Sequence, residues 1–102
     1  MSVVIVTAIV QLSPDTVEEA LAMSVEHVRR SRTEPGCLLH TVSRDAEDPT
    51  RLIFLEHWSD RAALQAHFLV PEARTFARAL GVVAASRPDM RLYEAEAFNP
   101  ER

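Results

Sequence analysis

Four side chains between positions 40 and 67 are candidates for a site of proton-transfer chemistry: His40, Glu56, Trp58 and His67. An imidazole with the ordinary pKa of ~6.5 is a usable general base, so His67 in an apolar pocket could remove a substrate proton. The indole N–H of Trp58 is a hydrogen-bond donor, and Glu56 could orient His67 or accept a substrate hydroxyl. These residue types indicate acid–base chemistry on an organic substrate.

The two residues with the largest proposed roles also have structural interpretations. His67 follows Leu64 by one turn of a predicted helix, where it could instead be a packing histidine that hydrogen-bonds near Pro71. Trp58 ends a predicted strand and shares a face with Phe54, since alternate strand residues point the same way. A large aromatic residue at a strand end often only fills space in the hydrophobic core. The sequence leaves both interpretations open.

Glu56 and His40 carry the same ambiguity. Glu56 could pair with Arg44 or Arg51 near a predicted hairpin instead of serving a site. His40 lies on a predicted strand and could be a partly exposed strand histidine. Neither alternative is decided by residue type alone.

The remaining histidines and the cysteine are expected to take no part. We predict that His27 and His57 are surface residues. Cys37 is the single cysteine of the chain, follows a glycine and has no evident base beside it, so we expect an inert thiol. Cys37 also has no cysteine or histidine at metal-ligand spacing, and we predict no metal site.

The elements that must position these residues follow from hydrophobic periodicity and from Pro, Gly and capping signals. We predict a strand over 3–12, a helix that starts at 13–15 and ends before 35, strands over 37–44 and 51–58, a helix over 61–69 that restarts at 71 and runs toward 86, and a strand over 90–98. This order is the ferredoxin-like β-α-β-β-α-β layout, an α+β fold with helices on one face of an antiparallel sheet. With 102 residues, the chain fits one domain over 1–102.

The first and third strands are apolar on both faces, and two helices cover only one face. The uncovered side would be an apolar patch of roughly several hundred Å², a size that marks an interface. We therefore predict a homodimer whose two sheets pack on each other. A monomer with an exposed apolar sheet face is the alternative.

Composition excludes several partners. The formal net charge is −4 and no long Lys or Arg run occurs, which argues against nucleic acid because phosphate binding needs a clustered basic face. No apolar run approaches the length of a membrane span, and positions 1–4 lack the basic start of a signal peptide. We expect a cytoplasmic protein without membrane contact.

Four short motifs in one order resemble the antibiotic biosynthesis monooxygenase (ABM) family. They are E-P-G-C at 34–37, E-x-W at 56–58, D-x-x-A-L-x-x-H at 60–67 and P-x-x-x-x-F at 71–76. The resemblance implies a dimeric α+β barrel and an oxygenase or a near relative of one, with no metal or flavin. The two glycines of the chain also leave no glycine-rich cradle for a nucleotide. A substrate that supplies its own electrons is then required, such as a quinol, an anthrone or a polyketide.

The resemblance also implies where the substrate lies, in a pocket between helices and sheet within each subunit. There His67 would be the base and Trp58 would position the substrate, while His40 occupies a place where the family often has tyrosine. The other expected substrate-binding residues, which could equally be ordinary core, are Met23, Phe54, Glu56, Phe68, Phe76 and Tyr93.

Departures from the family pattern keep other functions open. Glu72 stands where many relatives carry a second histidine. Haem degradation is rejected, because 7–9 lacks the asparagine of haem-degrading relatives and Phe76 lies near the place of their haem-ligating histidine. The alternatives are a non-redox small-molecule binding or stress-response dimer, and a cyclase or isomerase that uses the same base.

Overall fold

The computed structural model describes residues 2–101 of the chain and confirms the predicted fold class. The elements are β1 (Val3–Gln11), α1 (Val17–Ser31), β2 (Cys37–Arg44), β3 (Arg51–Trp58), α2 (Arg61–Leu69), α3 (Pro71–Val83) and β4 (Asp89–Ala95). The four strands form one antiparallel sheet in the order β2-β3-β1-β4. The helix that was expected to restart at 71 is a separate element.

The sheet presents alternate residues of each strand to the helices. In the central pair, β1 and β3, the buried residues are Val4, Val6, Ala8, Val10, Leu52, Phe54, Glu56 and Trp58. The register places Val4 opposite Trp58 and Val6 opposite Glu56. The side chains of Glu56 and Trp58 therefore point into the layer between sheet and helices, because residues two apart on a strand share a face.

Helix α1 begins later than predicted. The segment that contains Pro14 forms a turn, in which the carbonyl of Ser13 accepts hydrogen bonds from the backbone N–H groups of Thr16 (3.1 Å) and Val17 (3.0 Å). Thr16, not Ser13, is the residue that precedes the helix. The misplaced start has no effect on which face of α1 packs on the sheet.

The second helical region confirms the expected break at a proline. Asp60 caps α2, since its Oδ1 accepts a hydrogen bond from the N–H of Ala63 at 2.8 Å. Val70 has extended backbone angles and Pro71 starts α3, as a residue before proline is disfavoured in helical geometry. This break ends α2 within one turn after His67.

The sheet face away from the helices is apolar in its centre. Ile9 is 44% exposed, Leu55 37% and Tyr93 48%, while Ile5 and Ile53 beside them are half-buried. Tyr93 pairs with Ile5 and thus belongs to this face. Strand β4 ends at Ala95, three residues before the predicted end. Within residues 2–101, no helix combines the length and the apolar character that crossing a bilayer demands.

Candidate functional site

A cavity of ≈ 190 Å³ lies between the sheet and α3. Its walls come from β1, β3, α1, α2, α3 and the start of β4, and they include Ala8, His27, Phe54, Glu56, His67, Phe68, Arg74, Phe76 and Met90. Most of the lining is apolar, with a few polar groups at one end. This is the usual composition of a small-molecule site, in which a few placed polar groups orient an otherwise apolar ligand.

His67 lines the cavity and is held by a carboxylate behind it. Its Nδ1 lies 2.8 Å from Oε1 of Glu34, and both side chains are largely buried. A carboxylate only accepts hydrogen bonds, so Nδ1 is the donor and Nε2 is the nitrogen left for chemistry. The pair has the geometry of a general base with an orienting carboxylate.

Glu34 is held in place by the turn that follows α1. Its second oxygen, Oε2, accepts a hydrogen bond from Nη1 of Arg30 at 2.8 Å. Gly36 has a φ of +81°, and a Cβ there would come within 2.5 Å of the Cβ of Ala63 at the start of α2. The glycine therefore lets this turn approach α2 closely, which brings Glu34 within reach of His67.

Two further imidazoles lie beside His67. The ring centroids of His27 and His40 are 5.5 Å and 5.7 Å from that of His67, and 5.3 Å from each other. His27 is buried rather than on the surface as predicted, and His40, at 1% exposure, is not a partly exposed strand residue. The first prediction was wrong because His27 continues the buried stripe of Ala20 and Ser24 on α1.

Burial acts strongly on the protonation of His27. Desolvation, together with the neighbouring His40 and His67, lowers the pKa of His27 to about 3. Its ring stacks on Phe76 with centroids 4.0 Å apart and an interplanar angle of 8°. His27 is therefore a neutral imidazole at physiological pH.

Glu56 and Trp58 form a buried pair behind His67. The indole Nε1 of Trp58 donates a hydrogen bond of 2.8 Å to Oε1 of Glu56. Burial raises the pKa of Glu56, but the contacts of its carboxylate with His40 and Trp58 outweigh burial and lower it overall. Glu56 does not orient His67, which is paired with Glu34. It does not pair with the two expected arginines either, since Arg44 binds Glu18 and Arg51 binds Asp45 and Asp48.

Trp58 does not occupy the position expected for a substrate-binding donor. It is 0% exposed, does not line the cavity, and its N–H is already bonded to Glu56. Its ring centroid lies 4.7 Å from that of His67. The ring of Trp58 contacts that of His67, so any effect of Trp58 on the cavity passes through His67.

The expected pocket walls divide into three groups. Phe54, Phe68 and Phe76 line the cavity. Met23 lies instead in a groove between α1 and α3 that has His27 and Phe76 in its wall. Tyr93 faces away from the helices, because its register with Ile5 places it on the opposite side of the sheet.

Cys37 and His57 lie apart from this set. Burial, with Glu34 and Glu56 nearby, raises the pKa of the Cys37 thiol, which agrees with the expected inert cysteine. His57 is half-buried on β3 and pairs with Ile5 on the face away from the helices. It offers a control for experiments on the buried histidines.

Three residues of the site were missed from the sequence. His27 could have been found, because it lies three residues after Ser24 on the buried stripe of α1. Glu34 begins the E-P-G-C motif at 34–37, but nothing in that segment shows that the turn folds against α2, so no role was assigned to it. Arg74 is an exposed residue of the cavity wall. It lies within a predicted helix, and no motif or spacing in the sequence distinguishes it from the other charged residues there.

The sequence of this chain matches the model of one protein family. Residues 3–79 match the model described as antibiotic biosynthesis monooxygenase. A protein of Synechocystis sp., uncharacterized protein sll1783, is 30% identical over 91 residues, which are 89% of this chain. The chain spans 62% of the length of that relative.

Solved structures with the same fold cover nearly the whole chain. A protein from Deinococcus radiodurans, provisionally described as an antibiotic biosynthesis monooxygenase, has a TM-score of 0.89 and 28% identity, over 97% of this chain and 99% of its own. A conserved protein from Methanosarcina mazei Go1 has a TM-score of 0.89 and 23% identity, over 94% and 95% of the two chains. The second likeness shows the fold alone.

Proposed function

Since this chain belongs to the antibiotic biosynthesis monooxygenase family, we propose that it is a cofactor-independent monooxygenase of an electron-rich aromatic substrate. The observation that carries the proposal is the His67–Glu34 pair, whose imidazole lines an apolar cavity. A base at such a place can form the delocalised anion of a quinol or anthrone. That anion is electron-rich enough to react with dioxygen directly.

The proposed reaction balances without a further reductant. Nε2 of His67 takes a proton from the substrate SH₂, and the anion passes one electron to dioxygen. The two radicals combine into a peroxide, which takes up the proton from His67 and loses water. The sum is SH₂ + O₂ → SO + H₂O, so both electron pairs come from the substrate.

The remaining residues of the cavity support each step. Glu34 accepts the hydrogen bond from Nδ1 and stabilises the imidazolium that forms. Arg74 lies in the cavity wall, where a cation attracts a phenolate. Phe54 and Phe76 are in edge-to-face contact with centroids 6.2 Å apart and offer aromatic walls from which water is excluded.

The cavity volume favours a substrate with one aromatic ring. A cavity of about 150 Å³ is enough for benzene, and this one measures ≈ 190 Å³. A three-ring anthrone would need the wall near Phe68 and Met90 to move, and both side chains are exposed, at 42% and 49%. We therefore expect single-ring quinols to turn over better than anthrones.

Oxygen uptake tests the proposal. Purified protein with a chelator and no added cofactor is expected to consume oxygen with a quinol at a rate proportional to protein concentration and above autoxidation. Product that forms equally fast under argon would show an isomerase or cyclase instead. Saturable binding without any product would show a binding protein. Either result contradicts the monooxygenase.

The Glu34→Gln variant tests how the base is oriented. We expect kcat to fall by about 10-fold or more, since an amide stabilises the imidazolium less well than a carboxylate. KM should stay within about twofold, because Glu34 lies behind His67 and outside the cavity lining. Steady-state oxygen uptake at several quinol concentrations separates the two constants. A purely structural role would change KM and thermal stability instead.

We also propose that the chain forms a homodimer through the sheet face away from the helices, where Ile9, Leu55 and Tyr93 are exposed. The Leu55→Asp variant should then lower the mass in solution from two chains to one, because an unpaired carboxylate would be buried between the sheets. Light scattering after size exclusion measures this. The control is Val82→Asp, which places the same charge at an 83% exposed position of α3. A wild-type protein with the mass of one chain at micromolar concentration contradicts the dimer.

A further inference from the structure

Three buried histidines from three elements lie together beside the cavity. His27 comes from α1, His40 from β2 and His67 from α2, and one ring nitrogen of each lies within 4.8 Å of one ring nitrogen of the others. They are distant in sequence, so they do not form a metal-binding motif with a fixed spacing of ligands. Imidazole is the protein ligand that zinc, copper, nickel and iron share.

Several of these nitrogens lack hydrogen-bond partners. Among residues 2–101, Nδ1 of His27 and both ring nitrogens of His40 are buried without one. Nε2 of His40 lies 3.4 Å from Oε1 of Glu56, a long contact that does not count as a hydrogen bond. Buried polar atoms are nearly always paired in folded proteins, so unpaired nitrogens on two neighbouring imidazoles indicate a missing partner.

We propose that His27, His40 and His67 bind one divalent transition-metal ion, with an open coordination position that faces the cavity. Two of the three ligands, His27 and His67, line the cavity itself. Three protein ligands with one open position are the arrangement of a catalytic rather than a structural zinc site. The open position would accept water or a small oxygen ligand.

The surroundings of the three rings fit metal ligation. A metal binds an imidazole through a ring nitrogen whose lone pair is free, and among residues 2–101 Nδ1 of His27 is buried without a hydrogen-bond partner. Glu34 binds Nδ1 of His67 at 2.8 Å, which leaves Nε2 for the metal in the carboxylate–histidine–metal pattern. Glu56 adds a carboxylate beside His40, where its charge would offset that of the ion.

Only small side-chain movements are needed. Metal–nitrogen bonds of ~2.0–2.1 Å place tetrahedral ligand atoms roughly 3.3 Å apart, whereas the nitrogens here lie within 4.8 Å. A contraction of about 1.5 Å at most closes the site.

Metal binding and the proposed oxidation would compete. A metal on Nε2 of His67 takes the lone pair that removes the substrate proton, so the loaded protein would lose its base. Binding itself does not rest on the proposed reaction. It is therefore measured directly, without substrate.

The test uses untagged protein that has been treated with a chelator and then freed of it. Calorimetric titration with Zn²⁺ should give one ion per chain, and His27→Gln or His40→Gln should weaken binding at least ~10-fold, the effect of disturbing even an outer partner of a metal ligand. His57→Gln is the matched control, because it removes a histidine from the other sheet face, and it should bind like wild type. No binding by the wild type, or equal binding by all variants, would overturn the site.

A second measurement does not depend on the folding of variants. Titration of the wild-type protein with Co²⁺ should produce the intense visible absorption of a four-coordinate ion, and Zn²⁺ should remove it. A weak spectrum typical of a six-coordinate aqua ion contradicts binding at this centre. Since neither measurement involves turnover, a failed metal site and a failed oxygenase give different results.

Discussion

The His67→Ala variant is expected to consume oxygen at least ~100-fold more slowly than the wild-type protein, since general-base catalysis contributes about 10²–10⁴ to the rate. The reason is geometric. His67 lines the cavity and has a carboxylate, Glu34, at 2.8 Å behind Nδ1. The measurement is kcat/KM for a quinol from initial oxygen uptake, in the presence of a chelator.

Two companion variants separate chemistry from folding. His67→Gln keeps a donor for Glu34 and a similar side-chain volume but cannot serve as a base, so it should lose as much activity as His67→Ala while it remains more stable. His57→Ala removes a histidine from the opposite face and should keep full activity. If His67→Gln stays within about twofold of the wild-type rate, His67 is not the base.

Sequence periodicity was sufficient for most of the fold. Hydrophobic periodicity led to the strands and helices, and the proline at 71 led to the break between α2 and α3. The start of α1 was misplaced because Ser13 has the side chain of a capping residue yet lies in a turn held by backbone hydrogen bonds. Capping residues in the sequence indicate the region in which a helix starts. The exact first residue depends on whether a turn forms there instead.

The candidate site was predicted in part. The residues that were not predicted share a physical cause. Residue type and helical spacing pointed to His67, since a histidine among apolar neighbours is unusual. Glu56 was one candidate for the group that orients His67, but Glu34 holds that place through a tertiary contact. Contacts between elements distant in sequence leave no local pattern.

His27 shows a different limit. Its position on the buried stripe of α1 was visible in the sequence, but His27 was interpreted as a surface residue. Burial of a polar ring becomes understandable only when its companions, His40 and His67, are known. A cluster of this kind has no signature in any one segment.

Trp58→Ala is expected to lower the free energy of unfolding by about 3–5 kcal/mol for the lost ring, with roughly 1–3 kcal/mol more because Glu56 loses its buried donor. Trp58 is 0% exposed and its indole bonds Glu56 at 2.8 Å. Urea unfolding at one fixed protein concentration measures the change, since association would make stability concentration-dependent. Phe98→Ala, at an 86% exposed aromatic position, should stay within about 0.5 kcal/mol of wild type.

Trp58→Phe divides this loss into its two parts. Phenylalanine keeps most of the ring but has no N–H, so the variant should be less stable by roughly 1–3 kcal/mol, the cost of an unsatisfied Glu56. If Trp58 also acts in the site by holding the His67 ring, whose centroid is 4.7 Å away, kcat should fall more in Trp58→Ala than in Trp58→Phe. A Trp58→Phe protein as stable as wild type would mean that the carboxylate of Glu56 finds another donor, and His40 is the nearest candidate.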